Sequence, residues 1–298
     1  MTGFVFLDKE EGITSFIAAA KMRRIFSEKK AGHTGTLDPM ATGVLPVAMG
    51  YSTRFIELIP SHDKAYRATF LLGKTTDTLD ITGAVLSENE VTAKKSDVEN
   101  VLNKFRGEIS QLPPMYSAIK KNGVRLYELA RQGIEIERES RQVKIYSLEL
   151  VSSDEAKNEY TIDVECSSGT YIRSLISDIG DELSCGAVMT SLRRTKANGV
   201  SIDKCYTVEQ LQKMKDEGRL SEALTRVDEF LTYPKLKVSA PQAKRFSNGG
   251  QLSYERLKNA DFTDGEILRV KCKELFLGLG FADNERQQIG IKCVINQV

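Results

Sequence analysis

The sequence contains no tryptophan, two histidines (His33 and His62), seven prolines and five cysteines in 298 residues. Cys166, Cys185, Cys205, Cys272 and Cys293 are odd in number and widely spaced, and none forms a C-x-x-C pair. That spacing excludes a structural zinc site and reads as the reduced thiols of a cytosolic protein. An excess of either charge is also missing: 42 Lys and Arg face 41 Asp and Glu, a formal charge of +1. A basic tail that binds nucleic acid is thereby excluded, whereas a folded protein with a local basic patch is not. The longest late apolar stretch, Leu275 to Ala282, falls far short of the roughly 20 residues of a membrane span. The opening Met1-Thr-Gly-Phe-Val-Phe-Leu-Asp8 lacks the basic start of a signal peptide. The expectation is a soluble, cytoplasmic protein with no membrane contact.

What is present is ordinary for a globular chain: 41% hydrophobic and 28% charged residues, with room for one large domain or two unequal ones at roughly 100–200 residues each. Phe4 to Leu7 reads as a short buried strand and Thr14 to Phe26 as a helix. Tyr66, Ala68, Phe70 and Leu72 share one side of a strand. Ser96-Asp-Val-Glu99 predicts a capping box that opens a helix to about Phe105. Val143–Val151 and Glu159–Cys166 read as a hairpin, followed by a helix with Ile172, Leu175, Ile176, Ile179 and Leu183 on one face. Thr207-Val-Glu-Gln210 is another capping box. After Tyr233-Pro234 the texture changes to short apolar segments with glycine turns, and only Pro241–Phe246 suggests a helix. The pattern predicts an α+β protein with one part over 1–229 and a small β-rich module over 230–298.

Basic residues gather locally although the total is balanced. Lys21, Arg23, Arg24, Lys29 and Lys30 form one group. Lys120, Lys121, Arg125 and Arg131 form a second, and Arg193, Arg194 and Lys196 a third. Lys235, Lys237, Lys244 and Arg245 form a fourth with no acid between them. Each singly is compatible with a solvated face; together they make a candidate nucleic-acid surface. Gly73-Lys74-Thr75 is no phosphate loop, because the glycine required five residues earlier is Ala68.

The segment Ala31-Gly-His-Thr-Gly-Thr-Leu-Asp-Pro-Met-Ala-Thr-Gly43 carries the most information. Its glycines allow close approach of backbone to a ligand. Pro39 biases Asp38 toward an extended conformation. Two readings stand at this point: a rigid loop presenting a carboxylate and a histidine, or a turn whose Asp38 bonds its own backbone.

Gly32-His-Thr-Gly-Thr-Leu-Asp-Pro39 with Ala41-Thr-Gly-Val-Leu-Pro46 resembles the catalytic motif of the bacterial TruB-type tRNA pseudouridine-55 synthases. Five further segments agree in order. They are Asp8-Lys9 with Gly12-Ile-Thr-Ser15, Lys64-Ala-Tyr66 with Leu72-Gly-Lys-Thr-Thr-Asp-Thr78, Pro114-Met-Tyr-Ser-Ala118, Ser168-Gly-Thr-Tyr-Ile-Arg173 and Leu192-Arg-Arg-Thr195. The likeness covers essentially the whole chain, including a tail similar to a PUA-like RNA-binding module. It departs from the family at Glu10, where proline is common, and in the segment after Thr195.

The resemblance implies a mixed, largely antiparallel sheet as the pseudouridine synthase catalytic domain, and an RNA-modifying isomerase acting on uridine 55 in the TΨC stem-loop of tRNA. It implies Asp38 as the catalytic aspartate, Tyr66 as the aromatic that stacks on the flipped base, and Arg173 as the partner of the aspartate. Leu192 is then part of the base-pocket wall, His33 lies close to the flipped nucleotide, and Lys9 and Tyr171 line the site. Isomerisation neither gains nor loses atoms, so neither a metal nor a small-molecule cofactor is expected, and the protein is expected to act as a monomer. Arg173 beside Asp38 would keep the carboxylate ionised despite burial. A non-catalytic tRNA-binding or tRNA-folding protein and a glycosidic hydrolase are the rival readings; the hydrolase usually requires two carboxylates.

Overall fold

The computed structural model describes residues 1–121, 123–257 and 261–295. The chain opens with β1 (Gly3–Lys9), α1 (Ser15–Ile25), β2 (Ala31–His33), β3 (Thr42–Met49) and β4 (Lys64–Leu72). A small hairpin, β5 (Lys74–Thr76) and β6 (Val85–Glu88), precedes α2 (Lys95–Leu102) and β7 (Gly107–Gln111). An arm follows with β8 (Lys120–Lys121), β9 (Val124–Arg125) and α3 (Leu126–Ala130). Next come β10 (Arg141–Asp154), β11 (Glu159–Cys166), α4 (Ile172–Glu182), β12 (Ala187–Ala197) and β13 (Val200–Ser201). Then α5 (Val208–Asp216) and α6 (Val227–Phe230) lead to β14 (Lys235–Lys237), α7 (Ala240–Ser247), β15 (Leu252–Ser253), β16 (Ile267–Cys272), β17 (Leu275–Asp283) and β18 (Gln288–Val294). No helix among the described residues is long and apolar enough to cross a membrane.

One sheet runs β1-β3-β12-β4-β11-β10-β7, with β2 on β3 and β13 on β12. All its pairings are antiparallel except that of β12 with β3, which aligns Arg193 with Thr42 and Arg194 with Gly43. The mixed, largely antiparallel sheet is therefore the expected one. Period-two alternation decides its buried face: Tyr66, Ala68, Phe70 and Leu72 of β4 meet Tyr160, Ile162 and Val164 of β11, under Leu175, Ile176 and Ile179 of α4. Around β1 both faces are covered. Val5 and Leu7 pack against α1, while Phe4 and Phe6 face the other way toward Val227 and Leu231.

A correction concerns the start of α2. Ser96 caps nothing; the helix begins one residue before it, and the Asp97 carboxylate accepts from the Lys94 backbone N–H at 2.8 Å. With Lys94 at the N-cap, Asp97 rather than Glu99 holds the third helical position, from which a side chain reaches back to the N-cap N–H.

A second sheet, β14-β16-β17-β18-β15, begins at Lys235 and holds its own core of Leu236, Phe246, Leu268, Val270 and Ile289. Ser239 starts α7 there, its backbone N–H received by the Gln242 side chain at 2.7 Å. The two sheets do not merely adjoin. Phe276, Leu279, Cys293 and Ile295 share a core with Phe4, Phe55 and Leu231, and Lys271 of β16 pairs with the buried Asp228 of α6 at 2.6 Å.

Candidate active site

The Asp38 loop is held from below on both sides of the aspartate. Ser15, buried in the first turn of α1, accepts from the Leu37 N–H at 2.7 Å and donates to the Leu37 carbonyl at 3.1 Å. The Pro39 carbonyl receives the Gly12 N–H at 2.8 Å and the Lys9 ammonium at 3.3 Å. That same ammonium also donates to the carbonyls of Glu10 and Ile13, both at 2.8 Å. Lys9 is fully buried, and burial lowers its pKa to about 8. The N-terminal motif is thus a brace. Gly12 takes the left-handed φ of +84° that its turn requires, and Asp38 sits between two fixed neighbours.

Arg173 approaches Asp38 from the first turn of α4. Its Nε lies 2.9 Å from Oδ2 of Asp38, while Nη1 donates to the Thr78 carbonyl and Nη2 to the Tyr116 carbonyl, both at 2.8 Å. The guanidinium is 5% exposed, so these contacts are screened little by solvent. Asp80 stands 3.7 Å from Nη1 of Arg173. Its Oδ1 accepts from Thr78 and Thr82 hydroxyls at 2.9 and 2.5 Å. Burial pushes the Asp38 carboxyl above its ordinary range, and the Arg173 charge pulls it back only in part because Asp80 opposes it. The expected ion pair is present, and burial acts against it. The Asp38 side chain remains 34% exposed.

Tyr66 is buried in β4 and shares a core with Leu37 and Leu192. Burial raises its phenol pKa, and the nearby Arg194 acts in the opposite direction. Arg194 is directly across the ladder from Tyr66 and is 0% exposed. It carries no carboxylate partner among the described residues. Its Nε donates to the Val44 carbonyl at 2.7 Å, and its Nη2 and Nη1 reach the carbonyls of Gly35 and Thr36 at 3.2 and 3.4 Å. The strand that brings it there passes so close to Gly43 that a Cβ at that position, whose φ is +103°, would stand 2.2 Å from the Arg194 carbonyl oxygen. Only glycine fits. His33, at the end of β2, has a buried Nδ1 without a partner among the described residues. Burial and then Arg194 lower its pKa, which favours the neutral imidazole.

Asp38, Arg173, Tyr66, Leu192 and His33 thus surround one loop. Lys9 and Tyr171 take different places beside it. Tyr171 precedes α4, exchanges backbone hydrogen bonds with the Gln111 side chain at 2.7 and 3.0 Å, and carries the Arg141 guanidinium 4.6 Å above its ring. Lys9 holds the underside of the loop. Sequence reasoning counted Arg194 as a surface charge and missed its place beneath the loop. The available signal was alternation: two adjacent arginines in one strand point to opposite faces. Indeed Arg193 points outward and pairs with Asp8 at 2.7 Å, and Lys196 pairs with Glu165 at 2.9 Å, so the third basic group is not an open cationic patch. The fourth group is exposed and makes no ion pair among the described residues. In the second, Arg125 and Arg131 flank the Tyr127 ring at 5.8 and 5.3 Å. Among the described residues no group of three His, Cys, Asp or Glu side chains is placed to hold a metal ion.

Comparison with known proteins places the chain in a family. Residues 23–172 match the family described as "TruB family pseudouridylate synthase (N terminal domain)", and residues 173–232 match "tRNA pseudouridylate synthase B C-terminal domain". The tRNA pseudouridine synthase B of Clostridium perfringens strain 13 is 42% identical over 288 residues, 96% of each chain. That of Pseudomonas fluorescens strain Pf0-1 is 46% identical over 259 residues, 84% of this chain and 82% of that one. Among solved structures, a chain of a Cbf5-Nop10-Gar1 complex superposes with a TM-score of 0.74 at 26% identity, covering 98% of this chain and 84% of that one.

Proposed function

The chain belongs to the TruB family of pseudouridylate synthases, and from that premise we propose that it isomerises uridine 55 in the TΨC loop of tRNA, with Asp38 as the catalytic carboxylate. The observation that carries this reading is Asp38 itself: a partly exposed carboxylate on a loop pinned at Leu37 and Pro39 and paired with a buried arginine.

The reaction breaks the C1′–N1 bond, turns the uracil, joins C1′ to C5, and exchanges the C5 proton for one on N1. A carboxylate serves it either as nucleophile at C1′ or as base at the ribose C2′–H. Both routes use the ionised form, which Arg173 favours against the burial of the site. The target base must leave its stack, at a cost of a few kcal/mol. Stacking on Tyr66 offsets part of this, at roughly 1–3 kcal/mol per base, while Leu192 walls the pocket and His33 lies close to the flipped nucleotide.

In this reading residues 1–229 form the catalytic domain and 230–298 a PUA-like module. The exposed cations of the arm and of β14 and α7 contact the phosphates of the TΨC stem-loop. The enzyme acts as a monomer. A hydrolytic alternative lacks support, because the second carboxylate, Asp80, is turned to Thr78, Thr82 and Arg173 rather than toward open space where it could activate water.

Tritium release from a TΨC stem-loop labelled at uridine C5 tests the proposal, since product and substrate have equal mass. Release by the wild type and none by Asp38→Asn is expected. Binding of the RNA without release by either protein would overturn the proposal in favour of a tRNA-binding function.

A further inference from the structure

Asn198 and Gly199 form the turn between β12 and β13, where Asn198 takes the left-handed φ of +53°. An Asn-Gly pair is an ordinary hairpin turn, and the turn asks only for this backbone conformation. The Asn198 side chain does more. It is 7% exposed and points into the protein, where Oδ1 accepts from the Thr34 hydroxyl at 2.6 Å and Nδ2 donates to the Ser61 carbonyl at 2.9 Å. The Asn198 backbone N–H donates to the Asp63 carbonyl at 3.2 Å.

The two segments joined in this way are those that carry the chemistry. Thr34 follows His33 and opens the loop that ends at Asp38. Ser61 to Asp63 leads directly into Lys64 and Tyr66 of β4. No strand pairing links them, because the ladder of β2 is with β3 and that of β4 is with β11 and β12. The loop and β4 touch in the core at Leu37 and Tyr66, and β12 ties them together by hydrogen bonds, at Arg194 from beneath and at Asn198 from the end.

We propose that Asn198 is a positioning residue for the uridine isomerisation, fixing the Asp38 loop against the start of the Tyr66 strand. The inference rests on the pseudouridine synthase reading of the site. A carboxylate and an aromatic that must act on the two ends of one glycosidic bond tolerate little relative displacement, and a shift of about 1 Å can cost on the order of a hundredfold in rate.

The test uses the full-length protein and tritium release from the C5-labelled stem-loop. Asn198→Gly removes the side chain while keeping the left-handed backbone comfortable. Thr34→Val removes the same hydrogen bond from the other partner, with little change in shape. Each is expected to lower kcat at least about tenfold, with KM little changed. Because both act through one bond, the double variant should be no slower than the slower single variant. Thr34→Ser, which restores the hydroxyl, should recover most of the rate. An unchanged kcat in Asn198→Gly, a loss confined to KM, or losses that multiply in the double variant would overturn the inference. Should Asn198→Gly fail to fold, Thr34→Val and Thr34→Ser decide it alone. Wild type that releases no tritium refutes instead the reading on which the inference rests.

Discussion

Replacing Arg173 with methionine removes the one cation in ion-pair contact with Asp38 among the described residues. It deprives the Thr78 and Tyr116 carbonyls of their Arg173 donors and leaves Asp80 without an ion-pair partner among the described residues. Methionine fills most of the volume, so the loss is chiefly electrostatic. Breaking a buried pair by deleting one partner costs roughly 3–5 kcal/mol, which in a protein of this size lowers the melting temperature by on the order of 10 °C. The effect on Asp38 is separate. Burial already holds its pKa above the ordinary range, and Arg173 is the main influence acting in the other direction. Removal of an adjacent opposite charge shifts a carboxyl by about 1–3 units, here upward. With Asp38 as the proposed catalytic carboxylate, activity should be lost as pH falls through that pKa. The acid limb of the kcat profile should therefore move to higher pH by about that amount, and the variant should regain part of its rate as pH rises. Arg173→Lys keeps the charge but not the fork that spans both carbonyls. It should leave the limb near its wild-type position with a lower plateau. The measurement is tritium release at saturating stem-loop from pH 5 to 9, beside thermal melting. An acid limb unmoved in Arg173→Met would refute the electrostatic part of this reasoning, and an unmoved melting temperature the structural part.

Three further outcomes are expected. Gly43→Ala combines a φ of +103° with a Cβ placed 2.2 Å from the Arg194 carbonyl oxygen. Strain of about 1–3 kcal/mol is joined by a clash between strands, and the urea midpoint should fall well below that of wild type; an unchanged midpoint would show that β3 and β12 can part freely. Asp38→Asn should melt no lower than wild type near neutral pH: a carboxyl whose native pKa is raised contributes stability below its unfolded pKa, lost as pH rises through the native value, and asparagine does not titrate. A clear fall in melting temperature at pH 7 would mean that the ion pair outweighs burial. Reversing Lys244 and Arg245 to glutamate should flatten the salt dependence of RNA affinity by about one unit of slope per lost phosphate contact, with kcat at saturation unchanged. A slope equal to that of wild type would remove this face from the interface.

What the sequence disclosed, and what it withheld, follows from how far apart the interacting residues lie. The alternation Tyr66, Ala68, Phe70, Leu72 and the helical face of α4 could be read because each element buries one side, and burial imprints its period locally. The order of motifs placed Asp38, Tyr66 and Arg173 in one family before any coordinates. The balance of forces on Asp38 was not legible, because it depends on Asp80 and on burial as well as on Arg173, which is 135 positions away in the chain. Nor could the motif around Lys9 and Ser15 declare itself a brace, since the Ser15–Leu37 bonds and the Lys9–Pro39 bond cross 22 and 30 residues. The pair Arg193 and Arg194 makes the point most directly. Composition counts two equal cations, but the pleat sends one outward to Asp8 and the other beneath the loop, against Gly35 and Thr36. A charge counted as RNA-binding surface is thus part of the frame that holds the carboxylate, and substituting it should disturb turnover before affinity. Which arginine takes which role is set by the register of β12 against β3 and β4, a relation that exists only once the sheet has formed.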